Sequence, residues 1–142
     1  RLKPGETLLD IGCGWGGLAE RAIARGAHVT GLTLSSEQLA YAKARLNSAG
    51  VSEMGDLRFE DYRHVSGTFD AIASVEMIEA VGEAHWPAYF KTLADRLKPG
   101  GAAAIQAITI DECYFDSYRL HTDFIQRYIF PGGMLPTVEI LK

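Results

Sequence analysis

A glycine-rich run set between an apolar segment and an alanine-rich one constrains this chain more than any other feature. It reads Leu8-Leu9-Asp10-Ile11-Gly12-Cys13-Gly14-Trp15-Gly16-Gly17. Leu8–Ile11 is a short apolar stretch of the kind that forms a buried parallel strand. Leu18 to Arg25 places Leu18, Ala22 and Ile23 on one helical face, and Gly26 closes it. Strand, glycine turn and helix together gather free backbone N–H groups at the helix start and let a ligand approach the backbone closely.

The alternation continues. His28–Leu34 predicts a second strand, and Ser35 or Ser36 caps a helix from Glu37 to Ser48, ended by Gly50. Leu57–Phe59 is a third strand, and the Gly67-Thr68 turn opens a fourth, Phe69–Val75. A helix from about Ala84 to Leu97 is broken by Pro99-Gly100-Gly101, and Ala102–Thr109 forms a fifth strand. Strands alternating with helices make an α/β fold, a doubly wound, mostly parallel sheet with helices on both faces. Residues 1–110 make up this core. Residues 111–142 are an aromatic-rich substrate-side segment of the same domain, with Tyr114, Phe115, Tyr118, Phe124, Tyr128 and Phe130 before the Pro131-Gly132-Gly133 turn.

Composition narrows the function classes. A net charge of −4, with no run of Lys or Arg, argues against a nucleic-acid partner. Two scattered cysteines, Cys13 and Cys113, suggest reduced thiols more than a disulfide framework. Gly101 to Ile110 is too short to span a bilayer. The chain begins with Arg1 and stops in mid-pattern at Lys142, so it is expected to be a piece of a longer protein, with further sheet strands outside it.

Two cofactor classes use such a glycine turn. Gly12, Gly14 and Gly17 satisfy G-x-G-x-x-G, a weak signal alone. A dinucleotide site also needs an acid at the end of the second strand. Here that position reads Gly31-Leu32-Thr33-Leu34-Ser35, and Glu37 lies already inside the next helix. The oxidoreductase reading therefore loses its second element. S-adenosylmethionine fits better. Asp10 is placed to order the loop near a cationic amino-acid ligand. Asp70 at the start of strand four and Lys98-Pro99-Gly100-Gly101 before strand five complete the signature of a Rossmann-like class I methyltransferase. Trp15 is a candidate cover for the cofactor.

Beyond that signature, several blocks resemble the cyclopropane-fatty-acyl-phospholipid synthases. They are Asp10–Gly17, Gly31–Ser35 with Gln38, Glu60-Asp61-Tyr62-Arg63, Ser74–Gly82 and Phe124–Gly133. The resemblance implies an enzyme that transfers a methyl(ene) group from S-adenosylmethionine to the cis double bond of an unsaturated phospholipid acyl chain, closing a cyclopropane ring. It implies that Gly12, Gly14, Thr33, Leu34 and Gln38 line the cofactor, with Asp61, Tyr62 and Val75 by the adenine. It also implies that Glu79 helps hold a bicarbonate ion acting as base.

Two positions depart from the best-known members. Ala80 and Gln106 stand where those members have histidines, the second of which contacts the bicarbonate. Gln106 can donate a hydrogen bond but carries no charge. The altered base site keeps a second product class open: a methyl-branched, methylene or hydroxylated lipid. A small-molecule methyltransferase and a binding module without chemistry are further readings. The resemblance further implies a cytoplasmic protein, peripheral at the inner membrane face.

Overall fold

The computed structural model describes residues 2–142. Five strands form its centre: β1 Thr7–Ile11, β2 His28–Thr33, β3 Gly55–Phe59, β4 Phe69–Val75 and β5 Leu97–Gln106. All neighbours pair in parallel, in the order β3-β2-β1-β4-β5. The helices are α1 Gly17–Ile23, α2 Ser36–Ser48, α3 Ile78–Val81, α4 Trp86–Arg96, α5 Glu112–Leu120 and α6 Phe124–Tyr128. The sheet is the α/β arrangement that the sequence predicts.

Period-two alternation in β1 assigns its side chains to two cores. Leu8 packs with Ala22 and Ile23 of α1, Ala42 and Leu46 of α2, and Val29 and Leu57. Leu9 and Ile11 face the opposite way, with Ile72, Ile78, Trp86, Tyr89 and Leu93. Helices therefore cover both faces, α1 and α2 on one and α4 on the other. Small residues permit close packing of the strands and the glycine turn on the first face. A Cβ on Gly31 would meet Leu57 Cδ2 at 2.6 Å and Cys13 Cβ at 3.0 Å. Gly31→Ala is accordingly expected to lower stability by about 1–3 kcal/mol, measured as the denaturation midpoint; an unchanged midpoint would show that Leu57 repacks freely.

Asp70 and Lys98, two of the sequence markers, turn out to be partners. Lys98 Nζ donates to Asp70 Oδ2 at 2.8 Å, and the same oxygen accepts from Thr7 N at 2.8 Å and Thr7 Oγ1 at 2.7 Å. The Lys98 ammonium, and then the Thr7 donors, hold the Asp70 carboxyl well below the usual carboxylate range. This clip joins the N-terminal ends of β1, β4 and β5, at the opposite edge of the sheet from the glycine turn.

Two expectations need correction. β5 starts at Leu97 and ends at Gln106, not at Ala102 and Thr109. Pro99-Gly100-Gly101 does not precede the strand but bulges within it: the register moves from Phe69↔Leu97 to Ala71↔Ala102. The ladder stops at Val75↔Gln106 because β4 ends there. The aromatic-rich segment folds into α5 and α6. Asp111 caps α5 through Cys113 N. Asp123 and Gln126 form a capping box at the start of α6.

β5 is the outer strand of the described sheet, and Ala102, Ala103, Ala104 and Ile105 are exposed along it. No helix among the described residues is long and apolar enough to cross a membrane.

Candidate functional site

Strand order reverses between β1 and β4, and open α/β sheets bind ligands at the carboxyl ends of the strands at such a point. The glycine turn emerges there. Gly12 has φ 78°, and a Cβ on it would meet Met77 Cγ at 3.0 Å. Gly16 also has positive φ, 78°, and a Cβ there would lie 2.9 Å from Ala42 Cβ. Gly17, the third glycine of the spacing motif, opens α1 without positive φ. Left-handed backbone at Gly12 and Gly16 thus needs glycine, both to make the turn and to seat α1 against α2.

A pocket lies beside the turn, lined by Ile11, Gly12, Leu32, Thr33, Leu34, Glu60, Tyr62 and Met77. Four residues expected at the cofactor meet here: Gly12, Thr33, Leu34 and Tyr62. Thr33 is buried; its hydroxyl donates to Gln38 Oε1 at 3.0 Å and accepts from Ser35 N at 3.1 Å. Gln38 is thereby fixed near the pocket rim at the start of α2. Asp61 flanks Tyr62 and pairs with Arg63 at 2.6 Å, which lowers its carboxyl below the usual range. Val75 is half-exposed at the end of β4.

Gly14 lies further along the turn, outside the pocket lining. Trp15 does not line the pocket either. It is 53% exposed and stands edge-on to Tyr41, ring centroids 5.4 Å apart. Ile11, Leu32, Glu60 and Met77 line the pocket without having been singled out; their apolar or charged character alone gave no signal.

Asp10 is buried just under the turn, and its Oδ2 has no partner. Burial raises its carboxyl from an ordinary 3.8 to about 7. Burial first, and the Asp10 charge second, push the neighbouring Cys13 thiol up to about 11, so that thiol is inert. An apolar slot, a glycine turn open to a ligand and an orphaned carboxylate beneath it fit the adenosyl and amino-acid parts of S-adenosylmethionine.

Glu79 lies on the β5 side of this cleft, at 9% exposure on α3. Its Oε1 accepts from Ile108 N, and its carbonyl accepts from Met134 N at 2.8 Å. Its Oε2 is buried without a partner, as are Ser74 Oγ and Tyr89 Oη. Burial raises the Tyr89 phenol above its usual range, with Ser74 opposing and the Glu79 charge adding.

Gln106 does not join Glu79. Its Nε2 donates to Glu76 Oε1 at 3.0 Å. The Gln106 amide is therefore turned to Glu76 and not to Glu79, whose Oε1 accepts from Ile108 N. Gln106 thus does not make the bicarbonate contact expected of that position in this structure.

Beyond Glu79, α5 and α6 present an apolar surface. Leu120 is 79% exposed and Phe124 66%, and Tyr114, Tyr128, Ile129 and Phe130 are more than half exposed. The Phe124 and Tyr128 ring centroids stand 5.1 Å apart on this side of α6.

Comparison with known proteins agrees with this geometry. Residues 1–142 match the family described as mycolic acid cyclopropane synthetase. The chain is 46% identical to the tuberculostearic acid methyltransferase UfaA1 of Mycobacterium tuberculosis, over 99% of this chain and 33% of that protein. It is 39% identical to the cyclopropane-fatty-acyl-phospholipid synthase of Escherichia coli strain K12, over 98% of this chain and 35% of that protein. The chain thus spans about a third of these relatives.

Among solved structures it superposes on the mycolic acid cyclopropane synthase CmaA1 complexed with SAH and CTAB. The TM-score is 0.88 at 27% identity, over 99% of this chain and 53% of that one. With the parallel sheet, the glycine turn and a match along its whole length, the chain belongs to the mycolic acid cyclopropane synthetase family and carries the class I methyltransferase fold.

Proposed function

We propose that the protein transfers a methyl group from S-adenosylmethionine to the cis double bond of an unsaturated phospholipid acyl chain. The observation that carries this reading is the set of exposed apolar side chains on α5 and α6, in a chain whose glycine turn borders an apolar pocket suited to an adenosyl group. When bound, the cofactor supplies a methyl group on a sulfonium cation. Ile11, Leu32, Leu34, Tyr62 and Val75 give apolar contact to the adenine, with Asp61 at its edge. Thr33 and Gln38 fix polar groups at the rim. Gly12 and Gly14 let the backbone approach the amino-acid part, and Asp10 supplies negative charge. The aromatic faces of α5 and α6 keep water from the acyl chain and favour positive charge developing on it.

Transfer forms a carbon–carbon bond at one alkene carbon and leaves the other electron-deficient. Loss of a proton from the transferred methyl closes a cyclopropane ring. Loss from a neighbouring chain carbon leaves a methyl-branched alkene. Glu79 is the carboxylate placed to take that proton. A second reading, the branched product, is favoured by Gln106, which is engaged with Glu76 and cannot serve as base. The relative at 46% identity is named as a tuberculostearic acid methyltransferase. Because the substrate is a phospholipid, the working protein meets a membrane surface, in our reading the inner, cytoplasmic face.

Incubation of the natural full-length protein with unsaturated phospholipid and labelled cofactor tests this. A gain of one methylene mass, about 14 Da, with loss of alkene signal means a ring; the same gain with alkene retained means a branch. No labelled lipid would sink the acyl reading. Tight calorimetric binding of NAD with none of S-adenosylmethionine would sink the cofactor reading. The end of β2, where Thr33 bonds Gln38, offers NAD no acid.

A further inference from the structure

Glu76 is the only non-glycine residue with positive φ among those described, at 50°. A side chain in left-handed backbone is disfavoured, and such strain gathers at working sites. Gln106 holds it from two sides. The Glu76 N–H donates to the Gln106 carbonyl at 2.8 Å, and Gln106 Nε2 donates to Glu76 Oε1 at 3.0 Å. Gln106 pairs in register with Val75, so the two residues bridge the carboxyl ends of β4 and β5. Met77, next in the chain, lines the pocket and lies against Gly12.

Charge singles out Glu76 further. Around the cleft, Asp61 is paired with Arg63 and Glu60 with Arg58. Asp10 and Glu79 are buried. Glu76 is exposed, and among the described residues no cation reaches it as an ion pair. Its neutral partner Gln106 fixes the carboxylate without cancelling its charge.

We infer that Glu76, presented by Gln106, is the counter-charge for the sulfonium of bound S-adenosylmethionine, an inference that rests on the cofactor reading above. Asp10 lies under the glycine turn on β1. Glu76 lies on the β4–β5 side, bonded to Gln106, two residues before the Ile108 N–H that Glu79 accepts, and there an acyl chain would meet the methyl group. A carboxylate there favours the charged cofactor over S-adenosylhomocysteine, its neutral thioether product. Loss of the sulfonium charge on methyl transfer then weakens the product's hold and aids its release. The role holds whichever lipid product forms.

Calorimetry on the natural full-length protein tests this with three ligands: S-adenosylmethionine, S-adenosylhomocysteine and 5′-methylthioadenosine. Glu76→Gln is expected to weaken S-adenosylmethionine about tenfold while leaving the other two within twofold. Gln106→Ala is expected to cost about threefold, again for S-adenosylmethionine alone. Glu76→Gly relaxes the backbone, so its Tm is expected to stay level or rise while it shows the same selective loss. An equal loss for all three ligands, or a Tm lowered by more than about 5 °C in Glu76→Gly, makes Glu76 a structural residue and overturns the inference. So does unchanged preference for the charged ligand. Failure of the unaltered protein to bind S-adenosylmethionine at all would instead overturn the cofactor reading, and the inference with it.

Discussion

Asp10→Asn is expected to make the ligand-free protein more stable at pH 8 and, in the same molecule, to weaken S-adenosylmethionine binding at least tenfold. Burial raises the Asp10 carboxyl from 3.8 to about 7 in the fold. Its folded value is above its unfolded one, so the folded state holds the proton more tightly. Stability from this group is therefore full below pH 3.8 and is lost as pH rises through 7. The gap of about three pH units corresponds to roughly 4 kcal/mol, an upper bound because water and ligand reach the turn. Asparagine keeps the shape and removes the charge. Thermal melts should show a gain of several degrees at pH 8 that shrinks toward pH 5. A cationic ligand reverses the balance, since it favours ionised Asp10. Affinity of the unaltered protein should rise with pH through about 7, with a proton released on binding below that. Calorimetry in two buffers of different ionisation heat measures the release. Tighter binding by the asparagine variant would remove Asp10 from the site.

Glu79→Gln is expected to cut turnover at least a hundredfold while changing cofactor affinity less than twofold. The residue is built in rather than solvated: Ile108 N–H holds one oxygen, Met134 N–H holds its carbonyl, and the second oxygen is buried without a partner. An orphaned buried carboxylate oxygen is costly to keep, and substrate or a proton is what would satisfy it. Glutamine has the same volume but cannot take a proton there. Comparable losses in kcat and in cofactor affinity would make Glu79 a binding residue. An inactive Glu79→Asp alongside a partly active Glu79→Gln would show that shape, not basicity, matters.

Much of this was legible in the chain because it is local. The apolar run before Gly12, the cap at Ser35 and the alternation of elements follow from period and turn chemistry, and the structure has Ser35 accepting from Gln38 N as that cap requires. The Asp123–Gln126 capping box was equally local, yet the aromatic composition of that segment hid it. The rest depended on distant parts of the chain. Pro99 reads as a stop, and only the β4 partner makes it a bulge. Gln106 reads as a neighbour of Glu79, and only the backbone turn at Glu76 diverts its amide. Asp70 and Lys98 read as site markers, and the sheet makes them a fastening far from the ligand edge.

The two outer strands of the described sheet differ in one respect that bears on how the chain behaves in solution. β3 carries Asp56 and Arg58, with Glu60 just beyond, and the three are ion-paired along that border. Charges of this kind discourage a further strand from adding. β5 offers alanines and Ile105 instead, with nothing to repel a newcomer. β5 is therefore the edge more open to a further strand. A preparation of these 142 residues alone is expected to associate through β5, and lysines placed along that strand should keep it dispersed.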